Sequence, residues 1–271
     1  MPKRTGRHPR RSRARLRLAT SNMYYYVYDE FVQDPKFERE LSLVETRLTD
    51  LGIAGKIARL ALFRDPRELI RDEIRKGVKT IIAVGNDHTL RTIVEAATGQ
   101  AVVLGIIPFA KENNSMALML GMPSGAAACD VLSARIVADL DAGEISGNRF
   151  LHTVKFAMGT DTRINCDGNY TLEPYRDCEV EVRNMALPAA DARQANPIDG
   201  KLELVVRVPE RKLFGKKKNT TSVIFGKRFI LESESEFLAQ VDGKELKGKR
   251  FDCRVIPGQV KMITGKGRMF L

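Results

Sequence analysis

Hydrophobic positions along the chain follow two patterns, and the change between them falls near residue 145. In the first part, short unbroken apolar runs alternate with longer segments whose apolar residues recur every three or four positions. The runs at 23–28, 57–63, 80–84 and 102–107 are too short for helices, carry no breaker and read as strands. A helix is predicted from Asp34-Pro35, with Phe37, Leu41, Val44 and Leu48 on one face until Gly52. A second runs from Asp65-Pro66 through Lys76, with Leu69, Ile70 and Ile74 on one side and Gly77 as its stop. Further helices are predicted from Thr89, from about Asn114 to Leu120, and from Gly125 to about Asp139. Alternating strand and helix of this kind builds a parallel sheet with helices on both faces.

Beyond Phe150 the helical spacing disappears. Segments 151–158, 178–185, 202–208, 223–231, 237–241 and 251–263 are rich in Val, Ile, Phe and Thr and are separated by Gly, Pro and Asn. They predict antiparallel strands. The expected architecture is therefore an open parallel-sheet α/β domain over 23–145, followed by an antiparallel β-sandwich domain over 146–271. The cleft between them is the default site.

At 271 residues and 43% hydrophobic the chain can bury a large core. No run approaches the roughly 20 apolar residues of a membrane span, and the start lacks the apolar segment of a secretory signal, so the expected location is the cytoplasm. Cys129, Cys166, Cys178 and Cys253 have no C-x-x-C spacing and suggest neither a zinc site nor a disulfide framework. Charge changes the picture at one end. Eight of the eleven net positive charges come from Lys3, Arg4, Arg7, Arg10, Arg11, Arg13, Arg15 and Arg17, which leaves +3 for the rest, and no acid occurs before Asp29. Residues 1–22 read as a disordered basic tail, or as an arm for anionic lipid or nucleic acid; Met23, just before the first strand, is an alternative start. Because only the tail supports it, nucleic acid is disfavoured as a partner. Residues 211–218, RKLFGKKK, read as an exposed basic hairpin loop.

Candidate chemistry concentrates at two strand ends. The run at 80–84 leads into Gly85-Asn86-Asp87-His88-Thr89, a turn with glycine, an acid and a hydroxyl at a helix start, where backbone N–H groups and the helix dipole converge on an anion. About 20 residues later, VVLGIIP ends in Lys111-Glu112-Asn113-Asn114-Ser115 and a second helix follows. Two such turns at neighbouring strand ends form one crevice, the usual ligand position in an open parallel sheet. Each residue also has a plainer reading. Asp87 can cap the helix beginning at Thr89, His88 can be a turn residue, and Lys111 can face solvent. Asp199 and Asp242, each followed by glycine, suit tight turns.

These residues, in this order, resemble the diacylglycerol kinase catalytic domain family, which includes bacterial lipid kinases and sphingosine kinases and is related to NAD kinase. Gly85-Asn86-Asp87-His88-Thr89 stands where the family has G-G-D-G-T. Gly105-Ile106-Ile107-Pro108, Asn114-Ser115-Met116-Ala117 and Leu120-Gly121-Met122-Pro123 resemble its second motif with one extra residue in the turn. Asp199-Gly200-Lys201-Leu202, Val241-Asp242-Gly243 and Pro257-Gly258 resemble its later landmarks. The resemblance covers 23–271. It implies a two-domain fold that binds ATP and Mg2+ in the cleft and passes the γ-phosphoryl group to a lipid hydroxyl at a membrane surface, with the protein peripheral at the inner face and the basic tail on anionic lipid. It also implies roles: Gly85, Asn86, His88 and Thr89 would cradle phosphate, and Asp87 would hold Mg2+ or orient the acceptor. Lys111, Asn113 and Asn114 would meet the nucleotide, Asn196 and Asp199 would hold a structural Mg2+, and Asp242 would be catalytic. A second copy of the chain is left open as a partner.

The chain departs from the family at Asn86 and His88, at Ala110-Lys111-Glu112, and at Lys244, where the family has an acid and Glu245 lies one place late. After the first strand it reads Asp29-Glu30-Phe31-Val32 in place of N-P-x-S-G. A nucleotide- or lipid-binding homologue without turnover, and a kinase of a soluble acceptor, are the competing functions.

Overall fold

The computed structural model describes residues 24–60, 65–109, 112–189, 192–209, 219–242 and 244–270. The basic tail, the 211–218 segment and Lys111 lie outside them. Strands β1 (Tyr24–Tyr28), β2 (Lys56–Arg59), β3 (Thr80–Gly85) and β4 (Val103–Pro108) form a parallel unit in the order β4-β3-β1-β2. Every residue of β1 and β3 is buried, so these strands are apolar throughout instead of alternating. Helices α1 (Glu38–Asp50) and α5 (Ala126–Ala134) pack together, as do α2 (Pro66–Arg75) and α3 (Asp87–Ala97); α4 (Ser115–Met119) is a short turn after β4. Among the described residues no helix is long and apolar enough to cross a membrane.

The helix predicted from Gly125 to Asp139 stops at Ala134. Arg135 takes a left-handed conformation (φ 53°), and β5 (Val137–Ile145) follows. Leu132, Ile136 and Leu140 satisfy helical spacing, but their neighbours pair along a strand, and tertiary pairing overrides the local pattern. A tight turn joins β5 to β6 (Asn148–Phe150), and β7 (Thr153–Met158), β8 (Thr162–Cys166), β9 (Tyr170–Leu172), β10 (Cys178–Arg183) and β11 (Leu202–Pro209) continue the chain. The single strand predicted over 223–231 is two, β12 (Asn219–Gly226) and β13 (Arg228–Val241). The chain breaks at Lys227 because the Asp167 carboxylate accepts the N–H groups of Lys227 and Arg228. The segments predicted at 237–241 and 251–263 are parts of β13 and of β14 (Lys244–Ile263).

Among the described residues fourteen strands form one connected sheet with two cores. β14 makes the connection. It pairs antiparallel with β13 and β5 and, at Lys261 and Met262, parallel with β4. Its Phe251 and Cys253 belong to the antiparallel core, and its Val260, Met262 and Ile263 to the α/β core. Where Pro257 and Gly258 interrupt its pairing with β5 the register shifts, and Gly258 is left-handed (φ 62°).

Candidate active site

The first strand-end turn is built around α3. Asn86 is its N-cap: the side chain accepts the His88 N–H at 2.9 Å, and Thr89 Oγ1 accepts the Asn86 N–H at 3.3 Å, a capping box. Thr89 Oγ1 in turn donates to Asp29 Oδ2 at 2.5 Å, and the Asp29 N–H donates to the Val84 carbonyl, which ties the end of β1 to the same turn. Gly85 has no room for a side chain, since a Cβ there would overlap Thr89 Oγ1 and lie 2.9 Å from Asp29 Cβ.

Asp87 is buried, and its carboxylate caps α4 rather than α3. It accepts the Ser115 hydroxyl at 2.7 Å, the Met116 N–H at 3.0 Å and the Ala117 N–H at 3.4 Å. The Asp87 N–H donates to the Asn113 carbonyl at 2.8 Å, and the Phe109 N–H donates to the Gly85 carbonyl at 2.7 Å. Asn113 reaches this position in a left-handed conformation (φ 58°), while Asn114 Nδ2 donates to the Phe109 carbonyl. The two turns meet as predicted, but they are stitched to each other. The N–H groups of Asn86, Asp87 and His88, expected to face phosphate, donate within the protein. The place of the N-P-x-S-G turn is taken by a 3-10 turn, Glu30–Gln33, whose Phe31 stacks edge-on against Phe37, which packs against the buried Phe109.

Asp242 lies at the tip of the β13–β14 hairpin (φ 46°), as its turn reading predicts, with its carboxylate folded back toward α3. It accepts the Leu151 N–H at 3.4 Å, and its Oδ1 is buried without a hydrogen-bond partner. Burial pushes the carboxyl up to about 6, and the positive charge of Arg91 opposes the rise. Arg91 stands one turn beyond Asp87 on α3, with its Nε buried and unpartnered. Arg91 and Asp242 together form a wall shared by two cavities. One, of about 330 Å³, is lined further by His152, Thr153, Lys155, Gln240 and Glu245. Burial holds His152 below the usual imidazole value, with the Asp87 charge acting the other way, so this cavity is electrostatically joined to the first turn. The other, of about 500 Å³, includes the exposed His88, with Arg71, Arg149 and Lys244. Strand alternation sends Lys244 to this side and Glu245 to the other; Lys244 Nζ is 2.6 Å from Glu95.

Asn196 and Asp199 are remote from this cluster in their hydrogen bonding. Asn196 Oδ1 accepts the Ile198 N–H and Asp199 Oδ1 the Lys201 N–H, each closing a turn. Burial, then the charge of Asp141, raises the Asp199 carboxyl above its ordinary value. Asp141 itself accepts one N–H at each oxygen, from Gly200 at 2.8 Å and Gly258 at 2.9 Å. Mg2+ asks for near-octahedral oxygen ligation, and among the described residues no group of three or more His, Cys, Asp or Glu is arranged to hold a metal.

Sequence reasoning missed Asp29, Arg91, Asp141 and His152. Arg91 carries a usable signal, four residues from Asp87 on one helix and hence on the same face. His152 carries none, because its neighbours in space come from distant strands.

Residues 26–145 match the diacylglycerol kinase catalytic domain. That match takes in the α/β half, a little under half of the chain. Over 103 residues the chain is 31% identical to a protein of Pseudomonas aeruginosa named "probable lipid kinase YegS-like", and 30% identical to its namesake in a second strain of that species. Each alignment covers 37% of this chain and 34% of the relative, so the chain matches about a third of their length. A crystal structure of a diacylglycerol kinase from Bacillus anthracis superposes with a TM-score of 0.74 at 17% identity, covering 92% of this chain and 98% of that one. At that identity the likeness is one of fold, and it extends through the antiparallel half that the family match leaves out.

Proposed function

We propose that the chain is an ATP-dependent lipid kinase of the diacylglycerol kinase type, acting at a membrane surface with Asp242 as general base. The observation that carries this is Asp242, a residue lining both cavities whose buried carboxyl is pushed up to about 6 and has one oxygen without a protein partner. The γ-phosphoryl group comes from ATP, and a divalent cation bound with it would supply charge neutralisation on the phosphates. The chain's own residues position and neutralise. The Asp242 carboxylate takes the proton from the acceptor hydroxyl as that oxygen bonds to phosphorus and the bond to the departing ADP breaks; the proton then passes to solvent. Arg91 and Lys155, on the smaller cavity, are the cations available to phosphate now that the turn's N–H groups are used. Asp87 braces the two turns.

That same use of the N–H groups favours a second reading, a lipid-binding homologue without turnover. Calorimetric titration of Mg-ATP, followed by γ-phosphate transfer into a lipid extract, separates the two. The kinase reading expects saturable binding that survives in Asp242→Asn, with transfer reduced by about 10²-fold or more in the variant. Absence of ATP binding at millimolar concentration would overturn it.

A further inference from the structure

We infer that the cavity of about 500 Å³ between α3 and the β5–β6 and β13–β14 hairpins is a phosphate site, and that the acceptor is itself a phosphorylated molecule whose phosphate binds there; the second half rests on the reading of Asp242 as base. Four cations line the cavity, Arg71, Arg91, Arg149 and Lys244, against two carboxylates, Glu95 and Asp242. Both carboxylates are matched: Glu95 lies 2.6 Å from Lys244 and 2.9 Å from Arg67, and Asp242 faces Arg91. Arg71 has no acid partner among the described residues. Arg149 reaches Gln259 at 3.2 Å and lies 4.0 Å from Glu144, a carboxylate held more closely by Arg254 at 2.5 Å. Two guanidinium groups in excess, on a concave surface beside a buried unpartnered Arg91 Nε, suit a phosphate, which accepts the forked donors of arginine and supplies the missing charge. Gly147 (φ 85°) lines the same cavity with open space where a side chain would stand. An acceptor whose phosphate sits at Arg71 and Arg149 places its hydroxyl toward Asp242 on the cavity wall.

The phosphate can come from a lipid headgroup or from a soluble ester, and two arms distinguish them. In the first, glycerol 3-phosphate is titrated into the full chain without nucleotide and followed by 31P line broadening. Binding weakened about tenfold or more in the double variant Arg71→Gln/Arg149→Gln, and not displaced by an excess of glycerol, supports the site. Equal binding by wild type and variant overturns it, whatever the enzyme does. In the second, transfer from ATP is compared on phosphatidylcholine vesicles carrying either diacylglycerol or a glycerophospholipid with a free headgroup hydroxyl. A preference for the anionic lipid of at least tenfold, lost in the double variant through a raised KM, supports the lipid source. A preference for diacylglycerol with no effect of the variant overturns the phosphorylated acceptor and leaves the kinase reading standing. No transfer to either lipid removes the kinase reading, and the first arm then decides the site alone.

Discussion

Asp242 sets the expected pH behaviour. A general base works in its charged form, so kcat/KM should climb as pH rises through about 6 and level off above it. Arg91 holds that value down, and Arg91→Gln should move the climb to higher pH, which a pH–rate profile of the two proteins will show. The same shift acts on stability with a definite sign. A carboxyl whose pKa is raised on folding stabilises the native state below its unfolded value, and that contribution is lost as pH rises through about 6. Gly85 makes a different demand. Alanine there must push Thr89 away from Asp29, so Gly85→Ala should cost about 1–3 kcal/mol in urea unfolding. The pressure on Gly85 is thus packing, with no phosphate needed to explain it.

At the scale of elements, α3 organises the site. Asp87, Arg91 and Glu95 follow one another at four-residue spacing, and each reaches a different element: α4, the Asp242 hairpin turn and Lys244 of β14. Asp87→Asn retains one acceptor oxygen for the α4 amides but loses the charge, and should destabilise by about 1–3 kcal/mol; thermal unfolding of the variant measures it. Much of this was legible in the sequence. The strands at β1, β3 and β4 announced themselves because burial on both faces makes them apolar throughout, and the two turns followed from what ends those strands. The reading failed where partners are distant. Leu132, Ile136 and Leu140 repeat at four residues and read as helix, while the strand pairing of Val137 to Leu140 is made by β14, more than a hundred residues later. Likewise Asp242 was legible as a turn residue, but nothing local shows its carboxylate meeting Arg91 and sharing a cavity with His152.

For the whole molecule, the decisive feature is that the last strand belongs to both cores. Residues 24–145 expressed alone would leave β4 and β5 without β14, exposing Leu104 and Leu140 along unpaired edges. That fragment should lack the near-ultraviolet circular dichroism of fixed side chains, and a native spectrum from it would refute the dependence. The shared strand also governs how the two halves can move. Its irregular point at Gly258 is latched by Asp141, which holds the Gly200 amide with its other oxygen. Opening of the cleft is therefore expected as a torsion of one continuous ribbon about that point, and the amides of Gly200 and Gly258 should lose protection from hydrogen exchange together. If the halves twist about that point, substrates on either side of the Asp242 wall would feel each other through β14.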